Sequence, residues 1–281
     1  MLFLLPAILI FGFFVWYPIF YGFVLSFQKN AFYGTPTFAG WQNYTFVLHD
    51  PLFWMAWRNS AQYALYGLLI GYLLPIVSAI AINELRRGTG YFRLAFYLPV
   101  IIPPLVTAFL WRYMYTHDGG LINSLLAVVH VAPQPWLQSP SSAMASLVIV
   151  TTWANMGGTV LIYLAALQSI PAQLYEAAEL DGASIWGRIW NITLPQIRGM
   201  MLILLLIQII ATVQVFTEPF TLTGGGPDLS TMTVLLLLYN YAFNSGNFGA
   251  ASALSVILFM VLVVLSLIYF GVTRRLNLGG E

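Results

Sequence analysis

Residues 168–198 carry the densest polar chemistry in the chain. Glu176 and Glu179 stand three residues apart, so on a helix they share one face. Ala177 and Ala178 between them are small enough for another protein's backbone to approach closely. Two carboxylates beside two alanines suit docking to a partner; a solvated helix lying at a membrane interface fits the same spacing. Pro171 suits the first turn of a helix, where its missing N–H is not needed. Gln173 to Leu180 are mostly good helix formers, and Gly182 suits a left-handed C-terminal cap. The pattern predicts a short helix, a tight turn and a second helix from about Ser184 to Leu194. Ile185, Ile189 and Ile192 fall on one stripe of that second helix, with Trp186 and Trp190 beside it. Pro195 is expected to break the line after it.

A second set of polar residues lies inside apolar runs. One run offers Thr152, Trp153 and Asn155, then Gly157 and Gly158, which permit close backbone approach. Another offers Gln208, Thr212 and Gln214, with Glu218 beyond its end. Polar groups in apolar surroundings cost free energy unless they find partners. They therefore line a water-filled path or hydrogen-bond between helices, and spacing does not separate the two. Trp153, Asn155, Gln208, Thr212, Gln214 and Glu218 are the candidates for a solute pathway. Glu218 is expected at its outer mouth, because ionised acids avoid the centre of a bilayer.

Other chemistry is missing from the sequence. No G-x-x-x-x-G-K-[ST] run is present to cradle ATP phosphates. Gly224, Gly225 and Gly226 before Pro227 suit a turn. His49, His117 and His130 are far apart and read as polar loop residues, not metal ligands. There is no cysteine, hence no disulfide, thiolate metal site or cysteine nucleophile. No G-x-S-x-G elbow supports a serine nucleophile. No catalytic, cofactor or metal site is therefore expected, and the chain is not read as an enzyme. The net charge of +1 excludes an electrostatic nucleic-acid binder. The spans lack carboxylates in series, which a proton-coupled carrier or pump would place near mid-membrane. That points to an energy source outside the chain.

These residues must be held by elements of a particular kind. The chain has 281 residues, of which 60% are hydrophobic and only 7% charged. An ordinary soluble domain is about 25% charged. Six apolar runs account for the excess, roughly 2–27, 61–82, 94–115, 143–167, 199–216 and 250–272. A signal peptide is the competing reading of the first run, but it is too long for an h-region and no charged n-region precedes it. Prolines at 75, 99, 103 and 104 fall in or beside spans, where neighbours can satisfy the freed carbonyls. The fold class expected is all-α: a polytopic membrane protein with six transmembrane helices, residues 1–281 forming a single domain. Arg86, Arg87, Arg93, Arg188, Arg198, Arg274 and Arg275 lie on one side of the spans, while the opposite loops hold Lys29 and Arg58. The first side is therefore expected to be cytoplasmic, with both termini there. Arg112 is expected to snorkel outward, with Trp111, Tyr113 and Tyr115 beside it in an interfacial aromatic belt.

The gapped run Glu176-Ala177-Ala178, three residues, Gly182, nine residues, Ile192-Thr193-Leu194-Pro195 resembles the EAA loop of ABC importer permeases. Asp181-Gly182-Ala183 matches the form common in that family, and Ile170-Pro171 through Leu174-Tyr175 resembles its lead-in. Thr223-Gly224-Gly225-Gly226-Pro227 with Ser230-Thr231 resembles an outer loop of carbohydrate-uptake permeases. Phe92-Arg93, Tyr97-Leu98-Pro99, Pro135-Trp136-Leu137 and Pro140 agree with the same group. The likeness runs along most of the chain and is closest to one subunit of the maltose and glycerol-phosphate importers. The N-terminal extension and the large periplasmic insertion of the maltose subunit have no counterpart here, which weakens any transfer of its substrate.

The resemblance implies the type I importer permease fold and half of a translocation pathway for a sugar or oligosaccharide. It implies a second, related permease in a heterodimer, two cytoplasmic ATPase subunits and an extracytoplasmic sugar-binding protein. It implies a bacterial or archaeal plasma membrane, with lipid around the spans and both termini inside. ATP and magnesium would be bound by the partner ATPase, with no cofactor in this chain. Glu176, Ala177, Ala178, Glu179, Asp181, Gly182, Leu194 and Pro195 are the matching coupling positions. No cluster of Arg or Lys sits within the spans to hold a phosphate or carboxylate, which favours a neutral sugar over glycerol phosphate. The alternative class is a stand-alone secondary carrier or channel for a small polar solute, which would need coupling-ion ligands or a polar pore ring.

Overall fold

Proline and glycine decide where the long apolar helices run straight and where they bend. The computed structural model describes residues 4–29, 35–85 and 87–277; Arg86 and the first residues of the expected opening span lie outside these. The helices are α1 (Leu5–Ser26), α2 (Gln42–His49), α3 (Pro51–Asn83), α4 (Thr89–Ile101), α5 (Pro104–Met114) and α6 (Leu121–Val128). They continue with α7 (Pro140–Gln168), α8 (Ala172–Leu180), α9 (Ile185–Val213), α10 (Val234–Asn244) and α11 (Phe248–Asn277). Gln28–Lys29 (β1) and Thr37–Phe38 (β2) make a two-residue antiparallel pairing, Gln28 opposite Phe38 and Lys29 opposite Thr37. Among the described residues five helices are long and apolar enough to cross a membrane, and six if α4 and α5 count as one broken span.

The expected third span is not straight. α4 and α5 meet at a bend of 101°. The cause is local: Ile102 precedes one proline and Pro103 another, and both are extended, with ψ of 128° and 139°. The other prolines are absorbed differently. Widened π-helical turns at Gly12–Trp16, Gly67–Tyr72 and Ile189–Thr193 lie just upstream of Pro18, Pro75 and Pro195. In such a turn the hydrogen-bond register slips by one residue, which accommodates a proline that cannot donate. Pro195 therefore does not end a helix, as its type suggested. It sits in the first turn of a segment continuous with Ile185, and α9 runs 29 residues to Val213.

Two compact units are present, residues 1–58 with 232–281, and residues 59–231. In the first, α1 packs on α11, with Phe23 and Phe259 edge to face at 6.0 Å. The Asn43 amide donates to the carbonyls of Ser26 and Gln28 at 2.9 Å each, fixing α2 against the end of α1. Gly249 at the start of α11 leaves room for this: a Cβ there would stand 2.4 Å from the Gln28 oxygen. Asp50 accepts from the Tyr241 hydroxyl at 2.5 Å and from the Leu52 amide at 2.9 Å.

In the second unit α7 is the central helix, packed by the inner part of α3 and by α4, α5 and α9. One core cluster gathers Tyr63, Trp111, Tyr115, Met144 and Leu147; another gathers Ile76, Val160, Tyr163, Leu167 and Leu204. Trp111 and Tyr115 are thus buried core residues, 8% and 2% exposed, and not members of an interfacial belt; Tyr113 alone of the three faces outward. Their rings pack on each other at 5.2 Å, which a continuous apolar run could not reveal. Gly157 lets α4 reach the backbone of α7, because a Cβ there would lie 2.1 Å from the Phe96 carbonyl oxygen. Gly158 faces open space and has no such role.

Candidate functional site: two joined cavities and a surface helix

Three helices of the second unit, α3, α7 and α9, approach closely because α3 presents glycines to its neighbours. A Cβ at Gly67 would stand 2.6 Å from the Thr212 methyl, and one at Gly71 2.8 Å from the Gln208 amide nitrogen. The Gln208 amide donates to the Gly67 carbonyl at 3.2 Å, an acceptor inside the widened turn of α3. Around this contact lies a cavity of about 110 Å³, with Thr152, Asn155, Gln208 and Thr212 in its wall.

A second cavity, about 390 Å³, opens at the bend between α4 and α5. Its wall includes Ile102 and Pro104 at the bend, Thr107 on α5, Asn155 on α7, and Gln214 and Glu218 beyond α9. Thr151, Asn155, Ala211 and Val215 line both cavities. The Tyr63 hydroxyl donates to Thr151 Oγ1 at 2.6 Å, and Thr151 Oγ1 donates to the Leu147 carbonyl at 3.1 Å. Glu218 shares the chamber wall with Thr151, and burial raises its carboxyl pKa above the usual carboxylate range. Thr107 is 4% exposed and its hydroxyl has no partner among the described residues. A volume near 390 Å³ lies in the range of small-molecule sites, roughly 300–1,000 Å³.

Asn155 stands in the wall of both cavities, with its amide donating to the Thr151 carbonyl at 2.9 Å. Gln208 and Thr212 line the glycine-side cavity, and Gln214 and Glu218 the bend-side chamber. Trp153 lines neither; it packs edge to face on Trp111 at 5.6 Å. Tyr63, Thr107 and Thr151 were not singled out by the sequence, since one polar residue in an apolar run carries no periodic signal. Gly67 and Gly71 did carry one, the spacing of two small residues on one helix face.

The segment 168–198 folds as a rigid bracket. Helix α8 ends in a Schellman turn, with the Ala183 amide donating to Ala178 at 2.9 Å and Gly182 to Glu179 at 3.1 Å. Gly182 takes φ +75°, as its type predicted. Pro171 stands at the N-cap, one place before the first helical residue. Ser184 caps α9, its Oγ accepting from the Gly187 amide at 3.2 Å. Two side-chain links then tie α8 to α9: the Tyr175 hydroxyl to Thr193 Oγ1 at 3.0 Å, and an ion pair from Arg188 to Glu179. The two acids read as one face therefore differ. Glu179 is engaged, while Glu176 is exposed and has no ion-pair partner among the described residues. Ala177 and Asp181 are exposed, Ala178 and Leu194 are half-buried, and Leu180 is 90% exposed at the helix tip. Pro195 sits exposed in the continuous helix.

A family model described as "binding-protein-dependent transport system inner membrane component" matches residues 67–278. A probable ABC transporter permease protein of Bacillus subtilis, YurN, is 35% identical over 95% of this chain and 92% of its own length. The trehalose/maltose transport system permease protein MalF of Thermococcus litoralis is 32% identical over 97% of this chain and 92% of its own. Among solved structures, a chain from a bacterial ABC transporter involved in the import of the acidic polysaccharide alginate superposes with a TM-score of 0.86. It is 26% identical and covers 97% of this chain and 94% of that one.

Proposed function

Because the chain belongs to the family of binding-protein-dependent transport system inner membrane components, as a multi-pass membrane permease of an ABC importer, we propose that its solute is a sugar or oligosaccharide. Relatives named for trehalose/maltose and for alginate support carbohydrate as the class. The polar groups set in the otherwise apolar walls of the two cavities suit hydroxyl-rich solutes, offering amides at Asn155, Gln208 and Gln214 and a carboxyl at Glu218.

In this reading the chain forms half of the pathway and a second, related permease forms the other half. An extracytoplasmic binding protein delivers sugar. Two cytoplasmic ATPase subunits hold ATP and magnesium and dock on α8, so that 168–198 and both termini face the cytoplasm of a bacterial or archaeal cell. Glu176 meets a basic group there, with Ala177 and Ala178 allowing close approach. Glu179, Asp181, Gly182, Leu194 and Pro195 keep the helix in position.

The observation that carries this reading is mechanical continuity. Helix α8 is fixed to the start of α9 through Tyr175–Thr193 and Glu179–Arg188, and the same α9 bears Gln208 and Thr212 in the cavity wall. A displacement imposed on α8 is therefore delivered along one helix to the solute. The test is reconstitution in proteoliposomes with the partner subunits. Uptake should require ATP hydrolysis and both permeases, and Ala178→Leu should release the ATPase on purification while the two permeases stay paired. Sugar uptake without ATP, or with an ATPase but no second permease, would sink the reading.

A further inference from the structure

We propose that the bend-side chamber is a charge filter, passing neutral and cationic solutes and turning back anionic ones, with the Glu218 carboxylate as the selecting group. The inference rests on the chamber being part of the solute pathway, and it narrows the class of sugar. Glu218 is half-buried in the chamber wall and is the only ionisable side chain lining it among the described residues. No Arg, Lys or His stands there to balance it or to hold a carboxylate or phosphate.

Thr151, held by the Tyr63 hydroxyl at 2.6 Å, shares the chamber wall with the carboxylate. Thr107, on the same wall, is 4% exposed, and its buried hydroxyl has no partner among the described residues. A sugar hydroxyl can donate to Glu218 and exchange hydrogen bonds with the amides of Asn155 and Gln214. A uronate or sugar phosphate would bring a second negative charge beside Glu218 where water is thinned, and like charges repel more strongly there than in bulk solvent.

The chain has no cysteine, so a single introduced one reports on the chamber. Ala154→Cys places the reporter in the chamber wall, and Val100→Cys, 37% exposed on the same wall, supplies a second, independent one. The whole complex, with cysteine-free partner subunits, is held in lipid nanodiscs so that both mouths meet solvent. Rates of reaction with cationic and anionic methanethiosulfonates are each normalised to a small free thiol, at pH 8. The normalised cationic-to-anionic ratio is expected to be roughly tenfold, which is a difference of about 1.4 kcal/mol between the two reagents. Glu218→Gln keeps the shape but removes the charge, and should bring the ratio to about one. A ratio near one in the parent, a ratio unchanged by Glu218→Gln, or no reaction at either reporter overturns the filter. The labelling needs no transport, so a filter that fails while ATP-driven sugar uptake persists leaves the importer reading standing, and the reverse also holds.

Discussion

The Tyr175 hydroxyl lies 3.0 Å from Thr193 Oγ1, joining the surface helix to the helix that walls the glycine-side cavity. A hydrogen bond of this kind contributes about 0.5–1.5 kcal/mol. Tyr175→Phe removes the bond and keeps the ring. Sugar imported per ATP hydrolysed should fall by roughly two- to tenfold, which is that energy expressed as a ratio. Parallel uptake and phosphate-release assays measure it, and an unchanged ratio would show that the link carries no motion.

Gly182 holds φ +75° at the end of α8, and nothing lies within 4 Å of where its Cβ would stand. The penalty for Ala there is therefore backbone strain alone, about 1–2 kcal/mol. Gly182→Ala should weaken ATPase retention on an affinity column. Gly182→Asn, which tolerates the left-handed region, should recover much of it. Equal behaviour of the two variants would place the defect elsewhere.

Gly157 and Gly158 are neighbours with opposite expectations. A Cβ at Gly157 collides with the Phe96 backbone, while one at Gly158 meets nothing. Gly157→Ala should destabilise the protein by about 1–3 kcal/mol, the usual cost of overpacking. Gly158→Ala should leave the unfolding midpoint in detergent within a degree or so of the parent, as surface changes do. A parent-like midpoint for Gly157→Ala would contradict the close approach of α4.

Asn155 lines both cavities, while Trp153 lines neither and packs on Trp111. Asn155→Ala strips an amide from the wall of both cavities and should raise the KM for sugar uptake with little loss of thermal stability. Trp153→Ala leaves a void beside Trp111 and should cost about 3–5 kcal/mol if the ring is as well packed as a core aromatic. Uptake kinetics beside a melting curve distinguish them, and the assignment fails if the two variants exchange phenotypes.

The charge preference of the chamber should depend on pH with a definite sign. Burial raises the Glu218 carboxyl, and among the described residues Tyr63 is a titratable group close enough to interact with its charge. The cationic preference should be complete above the raised pKa and lost as pH falls through it. Its midpoint should lie above the ~4.3 of an unperturbed glutamate. A midpoint at or below that value, read from the normalised reagent ratio, would mean the carboxyl is not desolvated.

The turn at Gly182 was legible because few residues besides glycine accept its backbone, and the spacing from Glu176 to Pro195 marked the segment. Pro195 was misleading for a physical reason: the widened turn at Ile189–Thr193 takes up the missing donor, and no residue type announces such a turn. Pro103 and Pro104 showed where a break could fall but not that it would reach 101°. Trp153 could not be assigned because an aromatic residue in an apolar run suits lipid, pathway and core alike, and only Trp111 opposite it decides. Asn155, Gln208 and Thr212, which line the glycine-side cavity, stood out because long amides and clustered hydroxyls inside an apolar run need partners, while a lone Thr107 did not.

The broken third segment bears on how the chain is made. Its two helices, 13 and 11 residues long, are each shorter than the ~20 residues that enter a bilayer as a stable unit. At the bend, carbonyls lose their helical donors and cannot face hydrocarbon. The surface that receives α4 is Gly157 on α7, which does not exist until synthesis has passed residue 157. Residues 89–114 are therefore expected to settle across the membrane only once α7 is present to receive them.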